Sequence, residues 1–181
     1  MKKTVAVLLA LCLMLTAALA LAEEAYHFTF RGGVEWDMSS AAVQEIEGAP
    51  AADGHQDERY STCKYSGVKI SKFNGVLVYV FREDVLKVIG YQIPDAADAD
   101  FSYLESALAQ VYGEPGEADT ARLAAALNET TGIEYTAEDF TNAHSWQLAD
   151  GTTVDLVMEQ GAMVIYYISP NYSDIYNVQG L

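Results

Sequence analysis

Two stretches of this chain give a β-strand no polar side to turn toward water. In Val76-Leu77-Val78-Tyr79-Val80-Phe81 and in Met163-Val164-Ile165-Tyr166-Tyr167-Ile168 every residue is apolar or aromatic. Successive side chains of a strand point to opposite faces. Leu77, Tyr79 and Phe81 therefore share one face, and Val76, Val78 and Val80 the other. Met163, Ile165 and Tyr167 oppose Val164, Tyr166 and Ile168 in the same way. A sheet built on these strands is apolar on both sides, and each side needs a cover.

No intramolecular disulfide is available to hold such a sheet. Residues 1–22 read as a secretory leader: Lys2 and Lys3 form the charged start, 5–19 the apolar run, and Ala20-Leu21-Ala22 the small-x-small cleavage pattern before Glu23. The run is short of the ~20 residues that a spanning helix needs. Cys12 leaves with the leader, so Cys63 is alone and reads as a half-buried strand thiol. The fold must rest on its hydrophobic core, and half of the residues (51%) are hydrophobic. That content excludes a disordered chain.

Charge narrows the partners. The formal net charge is −16, and losing Lys2 and Lys3 takes it to −18. Such a chain repels polyanions, so nucleic acid is excluded as a main partner. The expected location is outside the cytoplasm, with no membrane insertion once the leader is cut.

Residues 23–181 read as a single α+β domain. Tyr26 to Phe30 alternate as a short edge strand. Ser39 is a candidate N-cap for a helix over 40–47, because its hydroxyl can accept a free amide of the first turn. Gly48 suits the left-handed position after that helix, and Pro50 stops it. Strands are expected over 63–71, 76–81 and 85–93, with Asn74-Gly75 as the first turn. Phe101, Leu104, Leu108 and Val111 fall on one stripe of a helix over 101–112, closed by Gly113 and Pro115. A second, Ala-rich helix over 119–129 turns Leu123 and Leu127 inward. Strands over 144–148, 152–158 and 163–168 complete the sheet.

The two helix ends match. Val43, Ile46, Gly48 and Pro50 recur at a constant offset of 65 as Leu108, Val111, Gly113 and Pro115. Each end is followed by three strands, which suggests a tandem helix-plus-three-strand unit over about 34–93 and 98–168.

The stretch 30–48, the strand ending Tyr79-Val80-Phe81 and the Leu-x-x-x-Tyr-Gly-x-Pro helix end at 108–115 resemble small exported bacterial proteins of the β-lactamase-inhibitor-like type. They are also similar to the small lipoproteins of the outer-membrane assembly machinery. Asp37 stands where a glycine commonly follows the Trp of that pattern, and no lipidated Cys is present. The resemblance implies an antiparallel sheet with helices packed on one face, and a role in protein contact. About six strands are expected.

Local catalytic and metal motifs are absent: no His-Glu-x-x-His, no Gly-x-Ser-x-Gly, no phosphate-cradling loop and no paired cysteines. No cofactor, metal or catalytic residue is expected. His27, His55 and His144 are scattered, and nothing brings one to Cys63. Asp95, Asp98 and Asp100 read as caps of the following helix, Asp53, His55, Asp57 and Glu58 as a solvated loop. Glu134, Glu138 and Asp139 are the acid/base candidates of a hydrolase reading.

Tyrosine is more distinctive, with twelve residues. The helices suffice for one sheet face, so the other is expected to be an aromatic recognition surface. The candidate binding residues are Tyr79, Phe81, Tyr91, Trp146, Tyr166 and Tyr167, which bring contact area with a polar handle. The expected function is a non-catalytic binding module with a protein partner, inhibitor-like or envelope-associated. The alternatives are a hydrolase with a dispersed acid/base site and a small-molecule or glycan-binding module.

Overall fold

A computed structural model describes residues 26–52, 59–131, 133–159 and 161–175. The predicted leader, the loop bearing Asp53, His55, Asp57 and Glu58, and the last residues of the tail lie outside them. Among the described residues the architecture is α+β: three α-helices and one seven-stranded antiparallel sheet. Strands β1 (Tyr60–Ile70), β2 (Phe73–Arg82) and β3 (Val85–Ile93) form one meander. β5 (Phe140–Gln147), β6 (Thr153–Glu159) and β7 (Ala162–Ile168) form a second. β4 (Gly116–Glu117) is a two-residue strand on the edge of β5. The order is β1-β2-β3-β7-β6-β5-β4, so the meanders meet where β3 pairs with β7. The seventh strand is this short β4, too brief to leave a periodic signal. Residues 26–30 supply only the bridge Thr29–Glu35, because the segment is spent in covering the sheet.

Helix α1 (Ser40–Glu47) starts on Ser39, whose hydroxyl accepts the Ala42 amide at 3.3 Å, and ends on Gly48 at φ 67°. Helix α2 (Asp98–Tyr112) begins where the Ala97 amide donates to Asp100 Oδ2. Both lie on one face: Val43 of α1 and Phe101, Leu104 and Leu108 of α2 share a core with Leu77, Tyr79, Phe81, Leu156, Met163 and Ile165. Phe28, Phe30 and Trp36 complete this cover. Phe28 stacks on Trp36 and Tyr167, and Phe30 meets Tyr79, Tyr91 and Tyr167. The Phe28 amide donates to Asp150 and the Trp36 indole to Thr152, which pins the segment to the sheet end.

Helix α3 (Thr120–Thr131), capped by Asp119 accepting the Arg122 amide, packs on the opposite face. Its Leu123, Ala124, Ala126 and Leu127 contact a second core with Val88, Val157, Val164, Tyr166 and Ile168. Helices therefore cover both faces, and the expected one-sided layer is corrected. The reason is legible in the sheet: Val157, Val164 and Ile168 are apolar on the second side, and α3 buries them. A bulge also matters. The β2–β3 register shifts between Val80 and Phe81, so Leu86 and Val88, two residues apart, face opposite sides.

Candidate functional site

Five of the six aromatic candidates belong to the core. Tyr79, Phe81, Trp146 and Tyr167 lie under α1, α2 and the N-terminal segment, and Tyr166 lies on the other face. Tyr91 is half-buried. Their polar ends are spoken for: Tyr79 donates to Glu47, Tyr91 is hydrogen-bonded to Arg31, and the Trp146 indole donates to Gly113 O at 2.7 Å. Burial raises the phenol pKa of Tyr79, Tyr91, Tyr166 and Tyr167, since a phenolate would lose its water. No exposed aromatic sheet surface exists among the described residues. Phe28, Phe30 and Trp36 themselves cover the ring-bearing face, a long-range contact that no local pattern signals.

The second face is covered only in part. Helix α3 lies over β3, β7 and β6 and leaves a cleft of about 410 Å³ against the β1–β2 side. Its floor follows the ladder. Thr62 pairs with Val80, Val80 with Val88 and Val88 with Ile168; Lys64 pairs with Val78, Val78 with Gly90 and Gly90 with Tyr166. Leu123 and Leu127 of α3 form one wall, and Ile133, Tyr135 and Tyr172 line the same space. Gly90 sets the depth of the floor. A Cβ at Gly90 would lie 3.6 Å from the Tyr166 ring, in ordinary contact, so the ring settles into the room the glycine leaves.

Thr62, Lys64 and Gln92 are the polar lining on the β1–β3 side, and Glu159 is the carboxylate at the β6 end. Tyr166 Oη donates to Glu159 Oε2 at 2.6 Å, and Glu159 is 8% exposed. Tyr135 faces the same carboxylate; burial first, then Glu159, pushes its phenol up to about 12. Tyr135 is positioned from α3. The Asn128 side chain donates to Tyr135 O at 2.9 Å and accepts the Tyr135 amide, while the Tyr135 ring stacks on Phe140. No lysine, arginine or histidine among the described residues lies within ion-pair distance of Glu159. Farther along, Asp155, 2% exposed, accepts Ser145 Oγ at 2.5 Å and faces Arg122 of α3 at 3.7 Å, which ties the helix to the sheet.

The other candidates are dispersed. Cys63 is buried beside Gln44, and burial raises its thiol pKa, the opposite of an activated nucleophile. His144 Nδ1 lies 2.6 Å from Glu105 and His27 is paired with Glu35. Asp100 pairs with Lys72 and caps α2, and Asp98 meets Asn142. Asp139 accepts the amide and hydroxyl of Thr136, and these bonds hold its carboxyl below the usual range. Among the described residues no group of three or more His, Cys, Asp or Glu could hold a metal ion. No helix there is long and apolar enough to cross a membrane.

The cleft residues are only half visible in the sequence. Val78 and Val80 stand out as a second apolar face, whereas Gly90, Tyr135 and Glu159 carry no periodic signal. The chain matches no protein-family model, and no curated protein or solved structure matches it.

Proposed function

We propose that the chain is a non-catalytic binding module acting outside the cytoplasm, and that its ligand is an apolar molecule seated between α3 and the β1–β2–β3–β7 floor. One observation carries this reading: the aliphatic floor of Val78, Val80, Val88 and Ile168 continues past the edge of α3 as a cleft of about 410 Å³. Ligand pockets typically measure ~300–1,000 Å³, with apolar linings and a few placed polar groups. The leader at 1–22 supports the location. A protein partner would need an exposed aromatic face, whereas the rings are buried and the open surface is an apolar cleft that favours a small ligand.

The strand order also supports a duplicated origin. Helix α1 with β1–β3 and helix α2 with β5–β7 lie on the same face and meet through their third strands, β3 and β7. Two copies related by a two-fold axis through that seam produce this order, with α3 as an insertion in the second.

Fluorescence titration with the neutral apolar dye Nile red tests the binding role. Saturable binding is expected, and Gly90→Leu, which fills the floor at an extended strand position, should abolish it while the circular dichroism spectrum stays native. Absence of saturable binding, or equal binding by the natively folded Gly90→Leu, overturns the reading.

A further inference from the structure

We infer that the cleft selects a ligand with a positively charged amine at one end of an apolar chain, and that Glu159 receives the amine. The inference rests on the binding role of the cleft. It starts from a carboxylate that lines the cavity, is 8% exposed, and accepts a hydroxyl from Tyr166 at 2.6 Å. Hydroxyl donors satisfy lone pairs but do not neutralise charge. A buried carboxylate without a cation is costly, and a partner that brings one recovers that cost. No basic side chain among the described residues supplies it.

Three further observations agree on a cation. Tyr135 and Tyr166 line the same cavity, and aromatic rings attract an ammonium through their faces. The net charge of −16 draws cations toward the chain and repels anions. Lys64, the basic group of the lining, stands on β1 with β2, β3 and β7 between it and β6. Four strand spacings separate β1 from β6, roughly 19 Å. The amine is thus directed to the Glu159 end, and the chain lies along Val78, Val80 and Val88 under Leu123 and Leu127.

Displacement of Nile red by decylamine, decanol and decanoate, each below its micelle concentration, tests this. Decylamine, cationic at neutral pH, is expected to displace the dye at about tenfold lower concentration than decanol, a difference of one decade in Kd. Decanoate should be the weakest. Glu159→Gln keeps an acceptor for Tyr166 and should bring decylamine to the level of decanol, each competition being read against that variant's own dye affinity. Glu114→Gln, an equal change of charge at an exposed position, should retain the preference. Decanol or decanoate competing as well as decylamine, or a preference that survives Glu159→Gln, overturns the amine assignment while dye binding leaves the cleft in place. Loss of dye binding in the unaltered protein overturns both.

Discussion

Tyr79 Oη donates to Glu47 Oε1 at 2.5 Å, joining the middle of β2 to the last residue of α1. Arg31 Nη2 lies 3.3 Å from the other carboxylate oxygen, and the Glu47 side chain is 6% exposed. Tyr79→Phe removes one donor from a buried carboxylate. The expected loss is about 1–3 kcal/mol, the cost of a poorly satisfied buried polar group. Urea denaturation of Tyr79→Phe, Glu47→Gln and the double variant should show coupling of about 0.5 kcal/mol or more. Additive losses would mean that the contact does not stabilise the helix end.

Neighbours on β2 should respond very differently to truncation. Phe81 is fully buried beneath the first cover, whereas Val80 is half-buried in the cleft floor. Phe81→Ala should cost about 3–5 kcal/mol, through lost transfer energy and a cavity. Val80→Ala should cost about 1 kcal/mol, in proportion to its partial burial. Similar losses at the two positions would show that the cleft side is packed as tightly as the core.

Alkaline pH should unfold the protein through its phenols. Tyr135 is pushed up to about 12, and burial raises Tyr60, Tyr79, Tyr166 and Tyr167 as well. An unfolded chain releases phenol protons from about pH 10, while the fold retains them. The phenol contribution to stability is therefore level below about pH 10 and falls above it. Phenolate absorbance from the buried rings should appear together with loss of the native circular dichroism. Titration of all tyrosines near pH 10 in a still-folded protein would contradict these burials.

Asp155 is the carboxylate most open to improvement. Burial raises its pKa, against the opposing effects of Ser145 and Arg122. The fold thus binds this proton more tightly than the unfolded chain, and the contribution is lost as pH rises through the folded value. Asp155→Asn keeps an acceptor for Ser145 and removes the desolvated charge. At neutral pH it should be neutral or stabilising within about 1 kcal/mol, as for buried ion pairs replaced by uncharged groups. Asp155→Ala should lose about 1–3 kcal/mol by orphaning Ser145. Equal thermal shifts for the two variants would refute the distinction.

What could be read from the sequence was local. Ser39 and Gly48 bracket α1 because capping depends on a few neighbouring dihedrals and one side-chain oxygen. The alternation of Leu77, Tyr79 and Phe81 against Val78 and Val80 was visible for the same reason. Pairings between distant segments were not. Nothing near Phe28 or Trp36 announces Tyr167 as a neighbour, and the bulge that turns Leu86 and Val88 apart breaks the simple alternation. Leu123 and Leu127 marked an inward stripe without saying which side of the sheet it meets. Glu159 closes a strand end where acidic residues usually meet solvent, and the approach of Tyr166 from β7 and of Tyr135 encloses it.

The β3–β7 seam has a kinetic meaning. Each meander joins near neighbours by short turns, but Val88 meets Ile168, at positions 88 and 168, only after a long loop has closed. The halves can thus order themselves early and dock late. The cleft floor straddles that docking line through Val88–Ile168 and Gly90–Tyr166, so it forms only once both halves have met. A bound molecule therefore acts as a rivet: it favours the joined state by mass action and slows the opening of the joint.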